Sequence, residues 1–393
     1  MANLRVLMFF IRASFFMLLK KLNELYQAEG FQHSIDNAKV VKEIEDKLKP
    51  KTHWERSYAQ YKCQKIVYRN AGKLIASFPF LALALLAANI FLFVYASKSL
   101  FISSPKPSKS TLSLLPNRDL VPDAVGGDVV YNGDDAKKPI FDFSDLRYVC
   151  SFSLRYFMHP YFCLKIAFSV FKLSGVAKVY SSVLISNEYS FCSSFVSHYL
   201  NSRGVLVMNC MHGEKLVNAR DSFCTYDIFF VWDESYCDIL KSLNISARFV
   251  VSYCPALKID LEALGGRAVS YFLQGGETVD QINNIYLKMI LLQRVLGGES
   301  VLFKEHPIYK TPNLDKVVKE KFVYNGDAAS LVSDSIAVCG RYTTLLYQVY
   351  VSRGGRSYPK IYIDDEFWVP PKEYIMLDKA DGVFSTLSED NFN

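Results

Sequence analysis

Short apolar runs alternate with amphipathic segments from about residue 140 to residue 363 of this 393-residue chain. In the first half of this stretch, strands are predicted at 179–185, 205–208, 228–232 and 248–253, with helices at 157–173, 190–201 and 234–243. After a break at Gly265-Gly266, strands are predicted at 269–273, 301–303, 322–324, 336–339 and 360–363, with helices at 279–296, 316–319, 327–331 and 343–351. Such alternation is typical of parallel sheets covered by helices. We therefore predict an α/β fold of two Rossmann-like domains, at residues 141–258 and 267–393.

The amino-terminal part has another pattern, in which long apolar segments stand between polar ones. Residues 1–73 are predicted to be helical. Their apolar run at 6–19 is too short to span a bilayer, so it fits a helix in the membrane interface or a helix docked on the protein. Residues 74–97 contain no charged side chain, and as a helix rising about 1.5 Å per residue they can cross a hydrocarbon core of roughly 30 Å. We predict a transmembrane helix there, or else a buried helical hairpin of a soluble protein. A linker is predicted at 98–140, where Ser, Pro, Gly and Asp are frequent.

Composition narrows the classes of function. Hydrophobic residues make up 50% of the chain and charged residues 21%, so most of it can bury a core. The net charge of +6 is mild and its basic residues are dispersed, which argues against a nucleic-acid partner. The nine cysteines include no CxxC pair and no zinc-type cluster, so they indicate reduced thiols in a reducing compartment. Lysines and arginines are slightly denser before residues 74–97 than after them, which alone would place the bulk of the chain outside the cytoplasm.

Polar side chains that suit an anionic ligand follow a predicted strand of the second domain. Lys304 and His306 come directly after the strand at 301–303, and Pro307 ends it because proline lacks a backbone donor. Ligands of open α/β sheets bind at the carboxyl ends of strands. We predict that His306 donates a hydrogen bond to a leaving phosphate and that Lys304 compensates its charge, the alternative being a solvated strand end.

A second group follows the strand at 336–339. Arg341, Thr343 and Thr344 stand where a helix begins, and helix amino termini bind phosphate through free N–H groups and the helix dipole. For either threonine taken alone, a simple helix cap is an equally good interpretation.

Two loops complete the candidate site. Gly275, Gly276 and Glu277 follow the first strand of the second domain, where glycines let the backbone approach a nucleotide. His212 and Glu214 flank Gly213 after the strand at 205–208 of the first domain. His212 is the candidate general base for an acceptor hydroxyl, with Glu214 or Asp221 to orient its imidazole, the alternative being a histidine of a surface loop.

Several enzyme classes are disfavoured by missing motifs. The sequence has no Walker A pattern, no HExxH, no G-x-S-x-G and no G-x-G-x-x-G. It also lacks the DxD motif that many sugar transferases use to hold a metal. We therefore expect phosphate charge to be met by protein cations and helix dipoles, with no cofactor and no obligatory metal.

The order of these motifs resembles a known family. His212-Gly213, then His306-Pro307, then a hydroxyl pair that opens a later helix, is similar to the two-Rossmann (GT-B) glycosyltransferases of bacterial surface polysaccharides. The pattern looks most like the sialyl-, polysialyl- and Kdo-transferases that use CMP-sugars, and it shares its His-Gly and His-Pro elements with CDP-glycerol glycerophosphotransferases. The resemblance covers about residues 180–365. The acidic-acidic-Gly motif that supplies the sialyltransferase base is absent, and Glu188 is the nearest acidic residue at a strand end.

The resemblance implies an inverting glycosyltransferase that moves a sugar from a nucleotide donor to a surface polysaccharide or lipooligosaccharide, and it favours a CMP-linked donor. It implies that His306, Thr343 and Thr344 contact the donor phosphate and that His212 is the base, with Glu188 or Glu214 as rivals. The expected location is the bacterial inner membrane, with the catalytic domains in the cytoplasm, where nucleotide sugars are made. The alternatives are a polyol-phosphate transferase that uses CDP-glycerol, and a non-catalytic membrane-anchored binding protein.

Overall fold

The computed structural model describes residues 36–67, 78–100, 108–131, 138–188, 193–211, 213, 215, 217–261, 266–307, 310–312, 314–341, 343–354, 356–357, 359–364 and 375–376. The chain divides into two compact units. The first comprises Met1–Met211 and Val217–Ser252, and the second comprises His212–Leu216 and Tyr253–Asn393. Each unit contains a parallel sheet with helices, which confirms the predicted α/β class and is consistent with Rossmann-like domains.

The helices and strands of the two units are as follows. The helices of the first unit are α1 Asn37–Leu48, α2 His53–Val67, α3 Phe78–Ser99, α4 Phe143–Arg155, α5 Pro160–Leu173, α6 Val176–Val179, α7 Ser193–Asn201 and α8 Glu234–Ser242. Its strands are β1 Ser108–Ser113, β2 Val129–Tyr131, β3 Tyr180–Ile185, β4 Leu206–Cys210, β5 Thr225–Val231 and β6 Ser246–Val251. The second unit has helices α9 Val279–Leu296, α10 Leu314–Val317, α11 Ala328–Ser333 and α12 Thr344–Ser352. Its strands are β7 Ala268–Phe272, β8 Ser300–Lys304, β9 Ser335–Gly340, β10 Lys360–Ile363 and β11 Ile375–Met376.

Both sheets follow the same strand order. The first sheet runs β2-β1-β3-β4-β5-β6, and the second runs β8-β7-β9-β10-β11 when it is taken from the other edge. In each unit the first strand therefore lies inside the sheet, the second pairs on one side of it, and the later strands extend on the other side. Such a sheet has a topological switch point, between β1 and β3 in the first unit and between β7 and β9 in the second.

Apolar side chains cover both faces of the second sheet. Alternate residues of the strands point to opposite faces, so Tyr271 and Phe303 pack beneath α9, while Phe272 and Val338 pack against α11 and α12. Helix α9 matches the predicted boundaries 279–296, with a capping box at Thr278 and a left-handed Gly297 at its end.

The predicted linker at 98–140 is wrong for residues 108–131, because they contribute β1 and β2 to the first sheet. Strand β1 pairs with β2 on one side and β3 on the other, so it lies in the interior of the sheet. Its sequence, SKSTLS, has a single large apolar side chain, Leu112, which is fully buried. A hydroxyl hydrogen bond of 2.7 Å joins Thr111 and Ser182 across the pair, so polar side chains pack where interior strands of a parallel sheet usually carry apolar ones.

Two further predictions need correction. The strand predicted at 322–324 is replaced by the 3-10 turn Glu320–Phe322 and a single bridge between Phe303 and Val323, because the Val323 N–H bonds back to the Glu320 carbonyl. The helix predicted at 157–173 begins only at Pro160, which suits the first turn of a helix because it has no N–H to leave unpaired.

Helices α1 and α2 belong to the first unit. Arg56 donates to Thr225 Oγ1 at 3.0 Å, and Gln60 donates to the carbonyl oxygen of Glu188 at 3.2 Å. Among the described residues, α3 is the one helix long and apolar enough to cross a membrane, and a core helix can pass the same test. The transmembrane placement of residues 74–97 thus stays a prediction.

Candidate functional site

The carboxyl ends of four strands meet at one edge of the second sheet. Phe272 at the end of β7 pairs with Lys304 of β8 on one side and with Gly340 of β9 on the other. Gly340 also pairs with Ile363 at the end of β10. The strands are parallel and in register, so the residues that follow them lie at the same edge. Three segments named from the sequence, around Gly275, His306 and Thr343, are brought together there.

The loop after β7 lies at the switch point and depends on its glycines. Gly275 and Gly276 have φ angles of 93° and 82°, a conformation that residues with a Cβ atom rarely adopt. The carboxylate of Glu277 accepts hydrogen bonds from the backbone N–H groups of Gln274, at 2.7 Å, and Gly275, at 3.0 Å. Glu277 is 8% exposed, so it uses its oxygens to shape the loop, and its predicted contact with a nucleotide stays a prediction.

A carboxylate–hydroxyl chain joins this loop to the one after β8. Thr311 donates its hydroxyl to Glu277 at 2.9 Å, and its backbone N–H donates to Glu305 at 3.0 Å. Glu305 directly precedes His306, which is partly buried. The chain of hydrogen bonds therefore holds the residue next to His306 in place. Sequence reasoning missed Glu305 and Thr311, because no local pattern indicates that they would bond across two loops.

Lys304 is the last residue of β8 and lies beside an aromatic ring. Its ammonium nitrogen is 5.9 Å from the centre of the Tyr324 ring, within the range of a cation–π contact. Tyr324 is held there because its backbone N–H donates to the Phe303 carbonyl at 2.8 Å. The contact places a positive charge at the strand end without neutralising it, as an anionic ligand requires.

A buried charge cluster supports Arg341 after β9. Arg341 Nε donates to the backbone oxygen of Asp364 at 2.9 Å and lies 3.7 Å from its carboxylate. The same carboxylate accepts from Tyr271 Oη at 2.9 Å and from Lys288 Nζ at 2.7 Å. Burial, and then the charge of Asp364, raise the pKa of Tyr271 well above its ordinary value, so it stays a neutral donor. Two cations face one carboxylate, so this cluster carries a net charge of 2 − 1 = +1.

The two threonines at the start of α12 have different positions. Thr343 is the N-cap, and its hydroxyl accepts from the Leu345 N–H at 3.4 Å. Thr344 is the first helical residue, so its hydroxyl lies at the positive end of a nine-residue helix. Residues 212–216 belong to this second unit, and a Cβ built on Gly213 would lie 3.7 Å from Thr344 Oγ1. Gly213 thus lies beside the amino terminus of α12. His212 and Glu214 themselves lie outside the described residues.

Glu188 follows β3 in the first unit and is fully buried. Its carboxylate accepts from Asn209 Nδ2 at 2.9 Å, and Asn209 in turn accepts from the Asn187 N–H at 2.9 Å. Its negative charge also contributes to raising the pKa of Tyr226, for which burial is the larger cause. A general base must touch the hydroxyl that it deprotonates, so this burial favours a structural role and leaves Glu188 the weaker rival to His212.

Among the described residues, no three His, Cys, Asp or Glu side chains lie close enough to hold a metal ion. Metal-independent chemistry stays a prediction, because the absence of such a cluster among these residues does not show what the reaction requires.

No known family model matches the chain, and no curated protein is significantly similar to it.

Proposed function

We propose that the chain is a GT-B-type glycosyltransferase, which binds a nucleotide sugar at the carboxyl edge of the second sheet and acts at a membrane. The observation that carries this proposal is the meeting, at a topological switch point, of a two-glycine loop, a helix amino terminus and the cations Lys304 and Arg341. Nucleotide phosphates are bound by this combination of features.

In the proposed reaction, one residue acts on the acceptor oxygen and a second group of residues acts on the leaving phosphate. The acceptor oxygen forms a bond to the anomeric carbon of the sugar, and its proton passes to His212. The bond between that carbon and the phosphate oxygen breaks, and its electron pair stays on the phosphate. His306, Lys304, Arg341 and the start of α12 stabilise the negative charge that develops there. Attack opposite to the leaving group inverts the anomeric centre.

The donor is proposed to be CMP-linked, and the acceptor a surface polysaccharide or lipooligosaccharide in a bacterial inner membrane, reached from the cytoplasm. This part of the proposal rests on the order of the His212-Gly213, His306-Pro307 and Thr343-Thr344 motifs. Because Thr343 acts as a helix cap, Thr344 is the stronger candidate for direct contact with phosphate.

A thermal-shift titration of the full chain with CMP, CDP, UDP and GDP tests the proposal. A ligand at 100 times its Kd should stabilise the folded state by about 2.7 kcal/mol. We expect CMP to raise the melting temperature of the parent and of Lys319→Ala, an exposed control, but not that of His306→Ala. No shift with any nucleotide, from a folded sample, would favour a non-catalytic binding protein.

The alternative function, a polyol-phosphate transferase, is distinguished from a sugar transferase by its product. Both enzymes release CMP, but a CDP-glycerol enzyme adds phosphorus to the acceptor whereas a sugar transferase does not. Phosphorus analysis of the purified product therefore decides between them. A gain of phosphate by the acceptor on extension, relative to the unextended acceptor, would contradict sugar transfer.

A further inference from the structure

Helix α3 has two apolar faces in opposite environments. One face packs against the first unit along the whole helix through Leu81, Leu85, Ala88, Phe91, Leu92 and Ala96, each less than 10% exposed. The rings of Phe91 and Phe171 lie 5.7 Å apart, and Tyr95 donates its hydroxyl to the Pro139 carbonyl at 3.0 Å. The opposite face carries the apolar stripe, which we define as Phe80, Leu83, Leu86, Ile90 and Phe93, each at least 55% exposed.

The exposed apolar surface continues onto α4. The rings of Phe93 and Phe143 lie 6.1 Å apart, and Phe143 is itself 41% exposed. Leu154, Phe157 and Met158, at and just beyond the other end of α4, are between 58% and 77% exposed. So many large apolar side chains on neighbouring elements are unusual for a surface that faces only water.

Charged groups at both ends of α4 oppose a spanning orientation. Lys178 lies 2.8 Å from Asp142 and 3.2 Å from Asp145 near the start of α4, and Arg155 lies 2.9 Å from Glu55 at its end. Helix α4 is about 20 Å long and packs beside α3. A hydrocarbon core of roughly 30 Å around α3 would therefore enclose some of these ions, which is costly.

The polar groups of α3 are compatible with an apolar environment on its exposed side. Asn89 Nδ2 donates to the Leu85 carbonyl at 2.9 Å, Ser97 Oγ donates to the Phe93 carbonyl at 3.0 Å, and Ser99 Oγ donates to the Ala96 carbonyl at 2.6 Å. Each of these donor groups finds its acceptor within the helix itself, so contact with acyl chains does not strip it of a hydrogen bond with water.

Helices α3, α4 and α5 pack against one another, and they carry more basic than acidic residues, which suits an anionic surface. Helices α3, α4 and α5 contain five basic residues, Lys98, Arg147, Arg155, Lys165 and Lys172, and one acidic residue, Asp145, a net charge of 5 − 1 = +4. Glu55 pairs with Arg155, and its inclusion lowers this net charge to 5 − 2 = +3. Asp145 is fully buried and pairs with Arg203 at 2.6 Å. Basic residues near a membrane surface attract anionic headgroups.

We propose that α3 lies in the plane of a bilayer interface that contains anionic lipid, and does not span it. The apolar stripe enters the acyl chains, the buried face stays on the first unit, and the neighbouring basic side chains contact the headgroups. This attachment is independent of the transferase chemistry, because none of its residues belongs to the candidate site.

Vesicle flotation of the full chain tests the surface. We expect binding to phosphatidylcholine vesicles that contain phosphatidylglycerol, and weaker binding to phosphatidylcholine alone. Leu86→Glu and Leu83→Glu should each weaken binding at least about tenfold. Leu287→Glu is the matched control, because Leu287 on α9 is 58% exposed and Leu86 is 60% exposed. Equal effects of Leu86→Glu and Leu287→Glu would overturn the proposal.

The orientation of α3 is tested by the depth of its residues in the bilayer. Tryptophan is introduced at residue 80, 86 or 93 in separate full-length variants, and its fluorescence is quenched by lipids brominated at two acyl positions, with the parent signal subtracted. An in-plane helix places all three at one shallow depth, whereas a spanning helix places residue 86 deepest, which would overturn the proposal.

A protein that does not bind vesicles would also overturn the proposal. In that case sedimentation would show whether a second copy covers the stripe, and deletion of residues 1–35 would show whether that segment does.

Discussion

Lys288 Nζ lies 2.7 Å from Asp364 Oδ1, although the two residues are 76 positions apart and both are at least 90% buried. Lys288 comes from the middle of α9 and Asp364 directly follows β10. Tyr271 and Arg341 donate to the same residue, Asp364. This cluster ties α9, β7 and β10 together beneath the proposed phosphate site, and it holds Arg341 at the sheet edge.

Asp364→Asn should destabilise the second unit by about 3–5 kcal/mol, because it leaves the Lys288 ammonium buried without a counter-charge. Urea unfolding of the full chain, followed by circular dichroism, measures the loss. Glu299→Gln is the control, since it breaks an exposed pair with Arg267 and should cost less than about 1 kcal/mol. Similar midpoints for the two variants would contradict a buried ion cluster.

Gly276→Ala should cost about 1–2 kcal/mol through backbone strain alone, since φ is 82° and nothing lies within 4 Å of the added Cβ. Gly126→Ala is matched to it, because that position is equally open and lacks a positive φ, so its stability should hardly change. Chemical denaturation gives both values. An unstrained loop would be indicated if the two substitutions behaved alike.

Thr343→Ala and Thr344→Ala should separate capping from ligand binding. The first removes the N-cap of α12 and should lower stability by about 1 kcal/mol. The second should leave the melting temperature of the free protein nearly unchanged and reduce the shift produced by CMP. The measurement is a thermal melt with and without nucleotide. A variant at residue 344 that keeps the full nucleotide shift would exclude its hydroxyl from the phosphate contact.

Acidification should destabilise the first unit through His159. Burial, followed by the charges of Lys62 and Lys65, lowers the pKa of this imidazole to about 4, and its Nε2 lies 2.9 Å from Tyr58 Oη. The unfolded chain, with an ordinary pKa near 6.5, takes up the proton first as the pH falls. The stability that neutral His159 supports is therefore present above pH 6.5 and is lost as the pH falls from about 6.5 to 4.

His159→Gln should flatten this dependence. Glutamine can still bond to Tyr58 but does not titrate, so the melting temperature of the variant should fall less between pH 7 and pH 5 than that of the parent. The comparison stops at pH 5 because carboxylates begin to titrate below it. Parallel curves for the two proteins would assign the acid sensitivity to other groups, such as His53 and His198, whose pKa values burial also lowers.

Elements with strong local signals were predictable from the sequence. Helix α9 was, because its apolar period, its Thr278 cap and its terminal Gly297 agree within one short segment. The approach of Lys304, Arg341 and Thr344 was also predictable, since it follows from parallel strands whose ends are visible in the sequence. Helix α4 was missed because Asp145 and Ser153 interrupt its buried face, and β1 was missed because a hydroxyl pair replaces apolar contacts in it.

The partnerships within the candidate site were not predictable. Glu277 and Thr311 are 34 residues apart, and Asp364 and Lys288 are 76 apart, so neither spacing carries a period or a motif. Such pairs are defined only when the strands have taken their order in the sheet. The sequence therefore indicates which side chains reach the sheet edge, but not which of them bind ligand and which hold the others in place.

The interior position of β1 decides how the chain can be shortened. A fragment that begins at residue 130 retains the later strands of the first unit but lacks β1 and the first residue of β2. Strand β3 would then become an edge with unpaired N–H and C=O groups along one side, which favours pairing between molecules and aggregation. A soluble fragment of this protein must therefore begin before Ser108.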